Sequence, residues 1–248
     1  MIARPSRPQS VLLHCLALGL VLLLGACSSV DPRSPDFGPV YKPRNVRGPE
    51  VWPENVRRVA VLPAYDATNR LTSEFINGYD SSWRRALDHA QRAEFVSLSR
   101  STMTNWFTRA SFSSSDPLPF GMLGRIARET GAQAVLFLDL THCSPYPPLT
   151  LSYRARLVDL KSGDIIWMAD EIVDGAAAET SRGARRFARE NSAIPGDAAY
   201  GILQSPTRFA DYAFQTITAA MPPRINPVLE DKNKITPKKN PVRADNTK

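Results

Sequence analysis

Cysteine is scarce in this chain. Its 248 residues contain three cysteines, Cys15, Cys27 and Cys143. The first two lie in or directly after an apolar N-terminal stretch, which leaves Cys143 as the thiol of the part that folds. A single thiol excludes an intramolecular disulfide, and its position at the end of an apolar run favours a small buried side chain. A disulfide between two copies is the alternative.

Histidine is as rare as cysteine, and the common catalytic motifs are missing. Beyond the N-terminal stretch the chain holds His89 and His142. His89 falls on the polar side of a predicted helix, and the strand neighbours His142 and Cys143 point to opposite faces, which excludes a catalytic dyad. There is no Gly-x-Ser-x-Gly, Ser-x-x-Lys, His-Glu-x-x-His, Walker-loop or Cys-x-x-Cys motif. The sequence therefore predicts a protein without enzymatic activity, metal or cofactor; a hydrolase that uses paired carboxylates is the alternative.

A long apolar run occurs at the N terminus and nowhere else. It covers residues 11–24, follows two arginines and leads through Gly25 and Ala26 to Cys27. This order is typical of an export signal and is too short for a membrane-spanning helix. A cysteine directly after Leu-Gly-Ala resembles the lipobox of bacterial lipoproteins. An ordinary export signal with an unrelated cysteine is the alternative.

The lipobox resemblance implies that residues 1–26 are a lipoprotein signal peptide and that acylated Cys27 becomes the first residue of the mature protein. Acyl chains hold a protein at a membrane surface, since each buried methylene contributes roughly 0.8 kcal/mol. Ser28 stands where an aspartate would resemble the signal for retention in the inner membrane. We therefore expect lipid anchoring at the periplasmic face of the outer membrane.

Positive charge is concentrated at the two ends of the chain. The formal net charge is +7, and removal of the two N-terminal arginines leaves 7 − 2 = +5. Residues 224–248 contribute seven basic and three acidic side chains, or 7 − 3 = +4, so the part between is nearly neutral. Binding of nucleic acid would require a basic face on the folded domain. We therefore expect no nucleic-acid partner.

Composition divides the mature chain into three segments. Prolines punctuate the sequence up to residue 53, so residues 27–55 are predicted to be the lipidated cysteine and an extended tether that does not pack on the domain. Residues 56–223 are predicted to form a periplasmic α/β domain. Residues 224–248, which are rich in lysine, asparagine and proline, are predicted to be a basic disordered tail.

Apolar patterns within residues 56–223 alternate between strand and helix. Short apolar runs predict strands near residues 57–63, 94–98, 134–140, 149–160 and 164–173. Helical spacing predicts helices that begin at Ser73, near Met103, near Phe120 and at Ser205. Helices separate the first three strands, whereas the last strands follow each other directly. The predicted fold class is therefore α/β, with a mixed parallel and antiparallel sheet of about five strands and helices packed on it.

Three segments together resemble one family of periplasmic lipoproteins. They are Val59–Pro63, Gly131–Leu136 and Leu157–Trp167, in this order after the lipobox. The family contains the curli-secretion channel lipoprotein, the penicillin-binding-protein activator lipoproteins and the amino-terminal domain of TolB. The resemblance covers roughly residues 56–221 and implies a periplasmic α/β domain.

The expected strand register brings three charged side chains close together. If the loop of residues 145–148 joins two antiparallel strands symmetrically, Asp139 lies opposite Arg154. A symmetric turn about Ser162 then places Arg154 opposite Asp170. An acid, a base and an acid in line predict an ion network across three strands that supports the structure; a ligand-binding site is the alternative.

Four arginines form a second candidate site. Arg182, Arg185, Arg186 and Arg189 have the spacing i, i+3, i+4 and i+7, which places them on one face of a helix. A solvated helix face is one interpretation. The other is a docking surface for anionic lipid headgroups or an acidic partner.

These observations predict a non-enzymatic accessory or binding module for a cell-envelope machine of secretion, wall synthesis or lipid transport. An envelope protein is the expected partner. A self-assembling subunit of an envelope ring or secretion channel is the alternative, and an envelope hydrolase is a further one.

Overall fold

Seven β-strands form one mixed sheet. A computed structural model describes residues 37–191 and 198–224, and every helix and strand below belongs to the unit that begins at Val40. Residues 1–26, predicted to be a signal peptide, as well as Cys27 and the residues beyond Arg224 lie outside the described residues. The predictions about them therefore stay predictions.

The sheet is parallel on one side and antiparallel on the other. Its strands are β1 (Val46–Arg47), β2 (Arg58–Val61), β3 (Tyr65–Asp66), β4 (Glu94–Ser97), β5 (Ala134–Ser144), β6 (Thr150–Asp159) and β7 (Ile165–Asp174). Their order is β1-β7-β6-β5-β2-β4, and β3 also pairs with β5. β2 runs parallel to β4 and β5, whereas β5, β6 and β7 are joined by short turns and are antiparallel. The predicted α/β class and mixed sheet are confirmed, with seven strands instead of about five.

Six helices accompany the sheet in the described part of the chain. They are α1 (Ser73–Ala90), α2 (Arg100–Phe107), α3 (Met122–Thr130), α4 (Ala178–Asn191), α5 (Ala198–Gln204) and α6 (Pro206–Ala219). Local chemistry explains several of their ends. The Ser99 hydroxyl accepts a hydrogen bond from the backbone N–H of Thr102 at the start of α2, and Gly131 ends α3 with a φ of 68°. α6 begins at a proline directly after the capping Ser205.

Alternate residues of the central strands face two different cores. Val59, Val61, Leu136 and Leu138 face the larger core, which α1 and α6 cover. Their sequence neighbours, such as Ala60 and Val135, face a smaller core covered by α2 and α3.

Three aromatic side chains of the larger core pack around Phe214 of α6. Its ring centroid lies 5.3 Å from that of Trp83, 6.4 Å from that of Tyr79 and 6.2 Å from that of Tyr153. Edge-to-face packing of this kind contributes energy beyond the buried area alone. α1, α6 and β6 are therefore joined through one side chain.

The predicted boundary between tether and domain at residue 56 is wrong, because the domain begins at Val40. β1 pairs with β7, and the Trp52 side chain is 2 % exposed. The backbone N–H of Trp52 donates to the carbonyl of Pro223 at 2.9 Å. Proline content led to the wrong prediction. An edge strand of two residues pairs through backbone N–H and C=O groups and needs no apolar period. Val46 and Arg47, which lie between prolines, supply these groups.

A buried glutamate fixes this N-terminal segment. The Glu171 carboxylate accepts hydrogen bonds from the Tyr41 hydroxyl at 2.8 Å and from the backbone N–H groups of Arg44 and Asn45. Burial, followed by the hydrogen bond to Glu171 and its negative charge, raises the pKa of Tyr41. Tyr41 therefore stays protonated and donates its proton to this bond. We call Glu171 and its three donors the clamp.

Glu171→Ala should loosen the segment from Tyr41 to Arg47 while the rest of the sheet stays folded. Three donors lose their shared acceptor, which should lower the free energy of unfolding by about 1–3 kcal/mol. Hydrogen exchange at the amides of residues 44–47 measures the local effect, and urea unfolding measures the global one. Glu94→Ala is the control, since its ion pair with Arg58 is exposed and should contribute less than about 1 kcal/mol. Unchanged exchange at residues 44–47 in Glu171→Ala would contradict the clamp.

Candidate functional site

The four candidate arginines lie on α4, as their spacing predicts. Ala184 and Ala188 on its other side are buried. Arg182 and Arg185 are half-buried, and Arg186 and Arg189 are exposed. The solvent-facing part of this arginine face is therefore its Arg186 and Arg189 end.

Several charges of the arginine face have partners. Arg186 Nε donates to Glu190 Oε1 at 2.8 Å, one helical turn away and exposed, and Arg185 donates to the Ser181 hydroxyl at 3.0 Å. Arg44, which belongs to the segment Tyr41–Arg47 that the clamp holds (the clamped segment), forms an ion pair with Glu179 at 2.9 Å. The helix Ala178–Asn191 carries four arginines and two glutamates, or 4 − 2 = +2. The arginine face keeps an excess of positive charge after its glutamates are counted.

Residues of α4, of α6 and of the segment Val40–Pro43 line a groove. Its volume is about 440 Å³, and its walls include Val40, Lys42, Phe187 and Tyr212. The backbone N–H of Tyr41 donates to the Glu179 carbonyl at 3.0 Å and fixes one wall. The lining combines apolar side chains such as Phe187 with the charged side chains of Lys42, Arg186 and Glu190.

Gly183 lets α4 approach α6 closely. A Cβ atom at this position would lie 2.2 Å from the Tyr212 hydroxyl oxygen, so any larger residue would require the Tyr212 side chain to move. The Phe187 and Tyr212 rings pack with centroids 5.7 Å apart. Burial raises the pKa of Tyr212 to about 12. The tyrosine is therefore neutral at physiological pH and serves as a packing element of the groove.

The structure brings Asp139, Arg154 and Asp170 into the register that the sequence predicts. Asp139 pairs with Arg154, and Arg154 pairs with Asp170. Arg154 Nε donates to Asp170 Oδ2 at 2.8 Å, and both side chains are about one-third exposed. Arg154 Nη1 donates to the Ser115 hydroxyl at 2.9 Å.

Asp139, however, does not join the predicted ion network. It is 1 % exposed, and it accepts hydrogen bonds from the hydroxyls of Ser113 and Ser114 and from the Ser114 backbone N–H. Arg156 Nη1 donates to the Ser114 carbonyl at 2.7 Å. The sheet therefore uses these polar groups to hold the serine loop of residues 113–115.

Sequence reasoning missed both the clamp and the serine loop. The run Ser113-Ser114-Ser115 lies in the connection between two predicted helices. A buried aspartate predicted on a central strand needs hydrogen-bond donors, and a nearby run of hydroxyls is the signal that could have identified them. The clamp left no such signal, because two of its donors are backbone groups.

Among the described residues there is no group of three or more His, Cys, Asp or Glu side chains that could hold a metal ion. No helix in the described part of the chain is long and apolar enough to cross a membrane.

Asp139→Ala should destabilise the protein more than Asp170→Ala. The first change leaves the two serine hydroxyls and one N–H without an acceptor in a buried place, which should cost about 1–3 kcal/mol. The second removes a partly exposed ion pair that should contribute about 0–1 kcal/mol. Urea unfolding of both variants measures the difference, and equal midpoints would contradict this assignment of partners.

Comparisons with known proteins complete the description. No protein-family model and no curated protein matches the chain. The PelC dodecamer from Paraburkholderia phytofirmans is similar at 15 % identity and a TM-score of 0.37, over 68 % of this chain and 96 % of that one.

Two further solved structures are similar to the chain. The LpoB C-terminal domain from Escherichia coli has 20 % identity and a TM-score of 0.35, over 52 % of this chain and 87 % of that one. Lipoprotein GNA1162 from Neisseria meningitidis has 18 % identity and a TM-score of 0.38, over 47 % of this chain and 81 % of that one. Lipoproteins are thus among the solved structures that are similar to the chain, as the sequence resemblance leads one to expect. At these identities and scores, no residue role is taken from these proteins.

Proposed function

We propose that this protein is a lipid-anchored, non-enzymatic accessory module of the bacterial cell envelope. Acylated Cys27 holds it at the periplasmic face of the outer membrane. Its arginine face and the adjoining groove bind an anionic surface or an acidic envelope protein. The machine it serves belongs to secretion, wall synthesis or lipid transport.

The observation that carries this proposal is the clamp beside the arginine face. Thirteen Cα–Cα steps lead from Cys27 to Val40, since 40 − 27 = 13, and a fully extended chain of that length reaches about 45 Å at most. Tyr41 and Arg44 contact Glu179 of α4 directly. The segment that leads toward the anchor therefore runs along the same helix that carries the arginines.

The partners of the buried carboxylates favour binding over catalysis. Asp139 holds the serine loop, and Glu171 holds the N-terminal segment. A catalytic carboxylate needs an open approach to a substrate, whereas these two are occupied by the protein's own donors. Both support rigid surfaces, which is what a docking module requires.

Cys27→Ser should abolish lipidation and release the protein from the membrane fraction, whereas Cys15→Ser should change neither. The thiol at position 27 is the proposed acceptor of the acyl chains, and position 15 lies within the proposed signal peptide. Metabolic labelling with a palmitate analogue, followed by fractionation, measures both effects. Label retained in Cys27→Ser would exclude the lipoprotein assignment.

Arg186→Gln together with Arg189→Gln should weaken binding to anionic liposomes without unfolding the protein. Both side chains are exposed, and exposed substitutions usually change stability by less than about 0.5 kcal/mol. Each cation near an anionic surface contributes about 1 kcal/mol, so binding should fall about tenfold or more at low salt. At about 1 M salt the difference should vanish because screening is then nearly complete.

Co-sedimentation in a Cys27→Ser background measures this effect without the acyl chains, and crosslinking in cells tests an acidic protein as the alternative target. The control is Arg57→Gln with Arg128→Gln, which removes the same charge from exposed positions on other elements. If the α4 variant equals this control in both assays, the arginine face is a solvated helix surface.

A further inference from the structure

A second cleft lies at the carboxyl ends of β2 and β4. Its volume is about 420 Å³, and its walls come from the residues that follow these strands and from the facing sides of α1 and α2. α1 leaves β2 toward the larger core, whereas α2 leaves β4 toward the smaller one. Where two neighbouring parallel strands send their connections to opposite faces, a crevice opens between the strand ends, and open α/β sheets bind ligands there.

The walls of this cleft contain several hydrogen-bond donors without acceptors. Arg84 and Arg100 both line the cleft. Arg84 is exposed, and no ion pair or hydrogen bond of its side chain is found among the described residues. The Nε of Arg100 and the indole Nε1 of Trp83 are buried and also have no acceptor within the described part of the chain. Trp83 is 1 % exposed and belongs to the wall.

The start of α2 also belongs to the lining of the cleft. Ser99 and Ser101 line the cleft, and their hydroxyls are hydrogen-bonded to each other at 2.8 Å. The Ser99 side chain also accepts from the Thr102 N–H, so the backbone N–H groups of Arg100 and Ser101 are those at the start of the eight-residue helix that have no helical partner. Partial positive charge at a helix start favours an anion. This contribution adds to the buried indole and guanidinium donors.

Asp80 is the negative charge of the cleft, and its oxygens already have partners. Oδ1 accepts from the Ala64 N–H at 2.7 Å, and Oδ2 lies 2.8 Å from Arg100 Nη2. Arg100 Nη2 also donates to the Ala64 carbonyl at 2.9 Å. These contacts hold Arg100 in place, and its Nε is buried without an acceptor among the described residues. Two arginines and one aspartate leave 2 − 1 = +1 on the lining.

We infer that this cleft binds a small ligand through an oxyanion, either a phosphate or a carboxylate group. Arg84 supplies the charge and the start of α2 supplies N–H donors. The Arg100 Nε and the Trp83 indole N–H, which are buried without acceptors among the described residues, belong to residues of the same wall. Charge-assisted hydrogen bonds to an oxyanion satisfy such donors best. Pro63 and Leu98 form an apolar wall beside them, which accommodates a carbon skeleton attached to the anion.

Calorimetric titration of the full-length mature protein in detergent tests this inference. The probes are inorganic phosphate and acetate, each against sodium chloride at the same ionic strength. Wild type should bind at least one of the two oxyanions saturably, and the amide resonances of Arg100 and Ser101 should shift with the same dissociation constant. Arg84→Gln should weaken this binding about tenfold, which corresponds to about 1.4 kcal/mol.

Two further variants keep the test specific. Arg128→Gln removes one exposed charge from α3 and should leave the dissociation constant within about twofold, because salt screens distant charges. Trp83→Phe keeps a ring against Phe214 and removes the indole donor, so binding should weaken as well. Saturation by phosphate alone or acetate alone assigns the ligand class. Absence of saturable binding by either, or equal weakening in Arg84→Gln and Arg128→Gln, would overturn the inference.

Discussion

The antiparallel pairing of β5, β6 and β7 is the constraint on which the polar sites of this protein depend. Asp170 and Glu171 are consecutive residues of β7, yet they serve opposite faces of the sheet. Asp170 binds Arg154 on the face of the serine loop, and Glu171 clamps the N-terminal segment on the other face. A shift of one residue would exchange them. One register therefore fixes both the loop and the clamp.

The sequence predicted this register correctly from an assumption that was only partly right. A symmetric loop at residues 145–148 makes paired residue numbers sum to 293, as Asp139 and Arg154 do. Next to the loop, however, Ser144 pairs with Thr150, which sums to 294. A bulge between Leu140 and His142 restores the predicted pairing. Hydrophobic alternation fixed the buried faces and hence the central register, whereas the bulge left no compositional signal.

Long periodic elements were predictable, and short ones were not. The helix from Ser73 has a clear helical period of apolar side chains, and the strand from Ala134 is a continuous buried apolar run. β1 and β3 contain two residues each, too few for any period. The clamp rests on backbone N–H groups of Arg44 and Asn45, which every residue except proline possesses. Only one part of the candidate site beside α4 could therefore be predicted from the sequence. The arginines have helical spacing, whereas the neighbouring segment Tyr41–Arg47 has no periodic pattern.

The two proposed binding surfaces lie toward opposite edges of the sheet. The clamp belongs to β7 and β1, and the oxyanion cleft lies between β2 and β4 at the other end of the strand order. Neighbouring strands are about 4.8 Å apart, so the three spacings from β7 to β2 amount to about 14 Å. A partner on the arginine face and a small ligand in the cleft therefore do not compete for the same atoms. Any influence of one on the other must pass through the packed strands or through Phe214, which contacts both Trp83 of the cleft and Tyr153 of β6.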